Sequence, residues 1–372
     1  MAFELSETDR LKYGREITAE SNAMQFWGQL KGASANAIIQ TELTDKEPDG
    51  TATRIYFADD VEGDGVSGNT DFADNRGSQI DLWQDVPFDV FGNSLRSKVM
   101  SLESKKATES FRIKSKKGLT KWASLKEDKI ISGKVSQNCT NIVACKSDGF
   151  YNANNTNSIV AGDIFSTKSI KEAKRRATNG VDGDGKLHPV LMPYVTVRKN
   201  AMGISIPVVY YVMPIGPAAS EQLDYDPLWL EYQKTAAAKQ VAELDIVSGY
   251  KGIFDGVIIV ERTRWSKTQS GIITSETPDF GDYAGNFGTY AGDSDLETEV
   301  NLLLGASAIL NPQDEGFDYK EIFDTENDKM VCRVRRGLGL EKTKFVGKTK
   351  EQMDSVYHGK DFGVIAVVNA LK

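Results

Sequence analysis

Histidine is nearly missing from this chain: two in 372 residues take away the usual general base and the commonest metal ligand in any clustered form. Cysteine is scarce as well. Cys139, Cys145 and Cys332 are odd in number and make no disulfide framework, which fits a reducing compartment. No apolar run is long enough to cross a bilayer, and no basic, apolar, small-residue leader opens the sequence, so a soluble, unsecreted chain is expected. Positive charge is not in surplus either: 45 basic side chains face 53 acidic ones, a formal net charge of −8, which argues against a protein that coats nucleic acid. No segment repeats at a fixed period.

What is present suffices for a core, since 40% of the residues are apolar, and the length suits two or three domains. The most ordered stretch runs from Pro189 to Arg262. Two β-rich runs, Val190 to Arg198 and Ile204 to Met213, flank a turn at Asn200-Ala201-Met202-Gly203. Asp226-Pro227 reads as an N-cap followed by proline at the first helical position. That predicts a helix through Trp229, Tyr232 and Ala236-Ala237-Ala238 to about Leu244, stopped by Ser248-Gly249. Val257-Ile258-Ile259-Val260 is a continuous apolar run suited to a strand covered on both faces.

A second strong helix is expected from Ser294. Ser294 and Glu297 have capping-box spacing, and Leu296, Val300, Leu303, Leu304 and Ala308 form one stripe at helical spacing, ended by Asn311-Pro312. The small residues Gly305-Ala306-Ser307-Ala308 would let a sheet approach. Ser166 to Thr178 reads as a helix capped by Thr167 or Ser169, with Glu172 at capping-box distance from Ser169 and Lys174-Arg175-Arg176 suiting its C-terminal dipole. Met330 to Val334 and Gly363 to Val368 read as strands, Gln137 to Gly162 as a surface loop with short strands, and Arg264 to Asp293 as a polar surface loop. An otherwise extended N-terminal segment carries one amphipathic helix, Glu20 to Leu30, with Phe26, Trp27 and Leu30.

From Ser94 to Lys134 the charge reverses, with twelve basic side chains against four acidic ones. Val99, Leu102, Phe111, Leu119, Trp122 and Leu125 supply an apolar face over two helices interrupted at Gly118. Taken alone, the segment is a solvated basic face.

Thr51 to Phe57 and Gln79 to Trp83 read as strands around a glycine- and acid-rich tip. Across Gly63 to Gly77 only Val66, Phe72 and Ala73 are apolar, too little to offset ordering at ~1–2 kcal/mol of backbone entropy per residue. Such a hairpin needs a partner surface. Three motif-like patterns here and later are decoys. Gly63-Asp64-Gly65-Val66-Ser67-Gly68 follows a strand, but no helix follows it to hold a pyrophosphate. Asp60, Glu62, Asp64 and Asp71 imitate a calcium loop, yet the twelfth position is Asp and flanking helices are lacking, which leaves a weak ion site at most. Gly347-Lys348-Thr349 resembles the end of a phosphate loop whose opening glycine is replaced by Lys342.

The order of "YYVMP…QLDYDPLWLEYQKTAA", "YKGIFDGVIIVER" and "EVNLLLGASAIL" is similar to the major capsid proteins of tailed double-stranded DNA phages, in particular the N-four-like podovirus group. The resemblance implies an α+β chain with the Hong Kong 97-type capsid fold: an N-terminal arm (1–48), an extended β-hairpin loop (49–93), a peripheral domain (94–185), an axial domain (186–312) and a C-terminal return to the peripheral domain (313–372). It implies a non-enzymatic subunit, without cofactor or catalytic residues, that self-assembles as pentamers and hexamers into an icosahedral shell around double-stranded DNA. Expected partners are further copies of itself, a scaffolding protein, the portal, a cement or decoration protein and non-specifically packaged DNA, with no membrane; assembly is expected in the host cytoplasm and residence in the virion. The hairpin would lie across a neighbouring subunit through Gly63, Gly65, Phe72, Arg76 and Trp83. Lys114, Lys116 and Lys117 would form a basic face toward the interior or an acidic partner. Two other classes stay open on the residues alone: another virion or adhesion protein, and a carboxylate-based hydrolase, although no acidic pair sits in a recognisable catalytic motif.

Overall fold

In the computed structural model, which describes residues 6–43, 52–62, 78–97, 105–151, 154–199, 205–238, 249–262, 296–324, 329–347 and 350–371, two β-sheets are joined by one long helix. The chain forms α1 (Glu7–Met24), a 3-10 turn (Trp27–Leu30), β1 (Lys31–Gly32), β2 (Ile39–Leu43), β3 (Ala52–Glu62), β4 (Ser78–Arg96), α2 (Lys105–Ser136), β5 (Ile142–Ala144) and α3 (Thr167–Asn179). It continues through β6 (Tyr194–Lys199), β7 (Ser205–Ile215), α4 (Pro217–Asp224), α5 (Pro227–Ala238), β8 (Tyr250–Phe254), β9 (Val257–Glu261) and β10 (Thr298–Leu304). The last elements are β11 (Ile309–Gln313), β12 (Asp318–Asp324), β13 (Lys329–Gly339), β14 (Glu341–Lys342), α6 (Lys350–Met353) and β15 (Val364–Ala370). The first sheet has the order β1-β2-β11-β13-β4-β3, with β12 on β13 and β14 on β11; the second has the order β5-β15-β10-β7-β9-β8, with β6 on β7.

The second sheet is covered on both faces, and its strands divide their side chains accordingly. Val300, Leu302 and Leu304 of β10, Val364, Ala366 and Val368 of β15, Tyr210 and Val212 of β7, and Ile258 and Val260 of β9 enter one core. Leu303, Ile365, Val367, Tyr211, Met213, Val257 and Ile259 enter the other, with α3, α4 and α5. Residues 298–304 are therefore a strand and not the helix expected from Ser294. The reason is arithmetic: Leu296, Val300, Leu304 and Ala308 are four apart, a spacing that satisfies a strand's two-residue alternation as well as a helix's turn. Asn301, on the second face, is satisfied by Gly216 N–H at 2.9 Å and by Asn369 Oδ1 at 2.8 Å. Asn311-Pro312 does not end a helix; it lies in β11, parallel to Thr41-Glu42 of β2.

The 32-residue helix α2 runs unbroken through Gly118, where two helices were expected. Leu119 and Ala123 pack with Cys332 and Val334 of the first sheet and Ile17 of α1, while Ile130, Ile131 and Val135 pack under the second sheet. Packing along nearly the whole helix outweighs a glycine penalty of ~1 kcal/mol. Glu127 of α2 is fully buried. It pairs with Arg336 of β13 at 3.0 Å and Lys31 at 3.1 Å, and accepts from Gln25. Burial pushes this carboxyl up, but Lys31, Arg336 and Gln25 bring it below its ordinary value. The N-terminal helix is also placed differently from expectation: it spans Glu7–Met24, and Phe26 and Trp27 follow it.

Helix α3 is capped by Ser166 rather than by Thr167 or Ser169, with Ser169 completing the capping box in place of Glu172. Gly180, at φ 61°, closes it in the left-handed region. Arg176 does not serve the helix end in solvent; it is buried, pairs with Glu172 at 2.8 Å and donates to Ile142 O at 2.6 Å. Of the short strands expected between Gln137 and Gly162, β5 is present, and it is buried on the second sheet and not at the surface. Linear division of the chain does not follow the sheets: β5 and α3 join the second sheet and its core, and of the C-terminal strands β13 joins the first sheet and β15 the second.

Glu299 of β10 meets the start of α4, accepting from Ala219 N–H at 2.7 Å and Ala218 N–H at 3.3 Å. A Cβ at position 216 would meet its carboxylate, so a larger residue there would displace Glu299 from these two N–H groups. Burial raises Glu299 from an ordinary value of 4.5 to about 6. A carboxyl raised on folding favours the fold below its unfolded value and loses that contribution as pH rises through the folded one. The stability of the native chain relative to Glu299→Gln should therefore fall between pH 4.5 and 6 and level off above, as read from urea melts; a pH-independent difference would contradict this. At the other node, Glu127→Ala strands Arg336 and Lys31 and should cost about 3–5 kcal/mol in the same melts.

Candidate assembly surfaces

Strand β4 serves two ladders in succession. Phe88 to Arg96 pair with β13 inside the first sheet. Ser78 to Pro87 pair with β3, from Ala52 opposite Pro87 to Glu62 opposite Ser78, with a bulge between Tyr56 and Ala58. The two strands leave the sheet as a ribbon. Its root is fixed by Ile55 and Val86, buried against Leu310. Between those two in the ladder, Arg54 pairs with Asp85 at 2.9 Å and lays its guanidinium 3.5 Å over the Trp83 ring. Trp83, half-buried, is therefore a ribbon residue covered from one side by Arg54. Gly63, Gly65, Phe72 and Arg76 lie outside the described residues, as do Asp64 and Asp71. Asp60 and Glu62 correct the calcium-loop comparison: they sit in the regular ladder of β3, opposite Ile80 and Ser78, where a binding loop would have to curl. Among the described residues no group of three His, Cys, Asp or Glu side chains could hold a metal ion.

The basic segment separates into inward and outward charges once it is a helix. Lys116 is turned onto α1, 2.5 Å from Glu16 and 3.4 Å from Glu20, with the Tyr13 ring 5.4 Å away. Burial would lower it, but the two carboxylates hold its proton and raise it overall. Arg112 makes a two-pronged contact with Glu321 at 2.6 and 2.8 Å. Lys114 and Lys117 are exposed, and so is Lys121, one turn on. The outward stripe is thus Lys114, Lys117 and Lys121, and Lys116 does not belong to it. The signal for this was available: Glu16 and Glu20 are four apart, a helical spacing that presents both acids to one partner.

A hydroxyl and an imidazole do meet in the interior. His188 Nε2 lies 2.9 Å from Thr140 Oγ1, but that oxygen also accepts from Asp361 N–H at 2.9 Å. Asp361 in turn is buried against Lys342 at 3.1 Å, and burial lowers His188. The group ties β14 and the turn before β5 together. A cavity of about 270 Å³ lies elsewhere, bounded by Lys31, Asn36, Ile38, Tyr194, Val212 and Ile258.

The sequence matches the family described as phage capsid protein over residues 5–372. The major structural protein ORF14 of Helicobacter pylori bacteriophage KHP30 is 22% identical over 391 residues, covering 97% of this chain and 95% of that protein. The head structure of Helicobacter pylori bacteriophage KHP40 is similar at a TM-score of 0.69 and 20% identity, over 94% of this chain and 91% of the other. The capsid of Ralstonia phage GP4 is similar at 0.66 and 18%, over 92% and 90%.

The two kinds of lysine on α2 should separate in stability measurements. Lys116→Ala removes a partly buried ion pair and is expected to cost about 1 kcal/mol, whereas Lys114→Ala and Lys117→Ala should leave the urea midpoint unchanged. Equal effects at all three positions would refute the assignment.

Proposed function

This chain belongs to the phage capsid protein family, and from that premise we propose that it is the repeating subunit of an icosahedral shell, arranged as pentamers and hexamers around double-stranded DNA. Its fold is the Hong Kong 97-type capsid fold, and it is a major capsid protein of the phage virion. The observation that carries the assembly reading is the ribbon of β3 with the first half of β4. A two-stranded ribbon is marginal on its own in water, and among the described residues its packing lies at the root, so its outer part gains its stability from another molecule, and in a shell that molecule is the neighbouring subunit. Trp83, with Gly63, Gly65, Phe72 and Arg76 of the tip, is assigned to that contact.

The first sheet with α1 and α2 forms the peripheral unit, and the second sheet with α3, α4 and α5 forms the axial unit. The exposed stripe Lys114, Lys117 and Lys121 faces the packaged DNA or an acidic scaffolding protein; portal and cement proteins are further partners. Assembly takes place in the host cytoplasm, which suits three buried free thiols, of which burial raises Cys145 to about 12 and keeps it unreactive. The role is assembly and not chemistry: many modest interfaces sum to a closed shell.

Replacing residues 63–77 with a short Gly-Ser linker tests the reading. Far-UV circular dichroism and cooperative melting of the subunit should persist, while electron microscopy finds no closed particles. Normal shells from the variant, or a chain that fails to fold, would overturn the assignment of the ribbon.

A further inference from the structure

Lys342, the residue that spoils the phosphate-loop pattern, is buried in β14 and held at three points. Its Nζ donates to Gln137 O at 2.5 Å and to Asp361 Oδ2 at 3.1 Å. The third neighbour is the sulfur of Cys139, 3.6 Å away and 203 positions earlier in the chain. Cys139 follows α2, and its S–H donates back to Val135 O at 3.4 Å. A thiol and an amine thus stand side by side, each held by further bonds of its own. The ion pair accounts for Asp361 but not for the sulfur, which is only a weak acceptor for a buried ammonium. The other two cysteines are placed differently: Cys145 meets the Ser169 hydroxyl and Cys332 that of Tyr319.

Two features equip this pair for chemistry. The first is a proton acceptor. Asp361 is fully buried, and its Oδ2 also accepts from Thr140 N–H at 2.8 Å. Its Oδ1 has no hydrogen-bond partner among the described residues, with Lys344 Nζ standing 3.7 Å off. A buried carboxylate oxygen left in that state can take the proton that the Lys342 ammonium must give up before its nitrogen forms a new bond. The second feature is access. Cys139 and Lys342 retain 5% and 4% exposure, whereas Cys145 and Cys332 have none. The pair therefore lies just beneath the surface, within reach of a small neutral oxidant such as dioxygen.

We propose that Cys139 and Lys342 form a covalent S–O–N bridge when the chain meets dioxygen, a modification that fastens the end of α2 to β14. The S–H bond and one N–H bond break, S–O and O–N bonds form, and the two hydrogens leave with the second oxygen atom as water. Sulfur and nitrogen each give up two electrons, and dioxygen takes four. The bridge goes beyond the shell reading and does not rest on it, because it is measured on the unassembled chain. Purified native chain is divided between anaerobic buffer with dithiothreitol and air-saturated buffer without it. The air-exposed chain should be heavier by about 14 Da, one oxygen gained and two hydrogens lost. Its tryptic peptides containing Cys139 and Lys342 should be joined, and dithiothreitol should restore the original mass. Unjoined peptides, oxygen on Cys139 alone, or a bridge through Cys145 or Cys332 would overturn the proposal. The urea midpoint should rise in air and return on reduction, since a crosslink restricts the unfolded chain; a bridged chain with an unchanged midpoint would overturn the fastening role. Cys139→Ser and Lys342→Met should each abolish the mass gain, and a gain that survives either substitution refutes the pairing. Should neither variant fold, the peptide masses of the native chain decide alone. A bridged chain that forms no shells sinks the shell reading and leaves the bridge standing; an unbridged chain that forms shells does the reverse.

Discussion

The carboxylate of Glu127 is the constraint from which the rest of the subunit follows. A charge without solvent is tolerated only when it is paired and hydrogen-bonded, and here the partners come from three directions: Arg336 from β13, Lys31 from the segment before β2, and Gln25 from the end of α1. The adjacent residue, Asp128, accepts from the backbone N–H groups of Phe26 and Trp27 at 3.3 and 3.4 Å. Arg262, at the exit of β9, lies over the rings of the same two residues and donates to Ser132 at 3.1 Å. Burial drives Arg262 down to about 9, with Asp128 and Glu299 opposing that shift. Two turns of α2 thus position the N-terminal segment, the first sheet and the end of a second-sheet strand.

That arrangement leaves each sheet free to extend a ribbon past its own core. The covered second sheet and the layer between α2 and the first sheet form the cores; the root of the β3–β4 ribbon is packed through Ile55 and Val86, and the β6–β7 pair is held through Val208 and Tyr210 and by Asn36, which bonds both backbone groups of Val195.

Charge follows the same division. A chain of net charge −8 carries its positive excess on one helix, and that helix spends Arg112, Lys116 and Lys134 on pairs with Glu321, Glu16 and Glu341. The outward remainder is a narrow stripe and not a basic surface.

Much was legible in the residues themselves. The cap at Asp226, where Leu228 N–H meets Oδ1 at 2.9 Å, the paired strands on either side of Asn200 to Gly203, the doubly covered run Val257 to Val260 and the family were all written in local chemistry or in the order of motifs. What the sequence could not decide were choices whose energies are set by distant partners. Residues 298–304 became a strand because β15 and β7 lie on either side and both faces are covered, which no window of fifteen residues contains. Lys116 turned inward because Glu16 and Glu20, a hundred residues earlier, wait on α1. Helix α2 crossed Gly118 because packing at both ends outweighs a local penalty. Caps, turns and apolar runs depend on neighbours within a few positions and so are fixed by sequence; strand identity, charge placement and sheet membership depend on burial against remote segments and so belong to the tertiary structure.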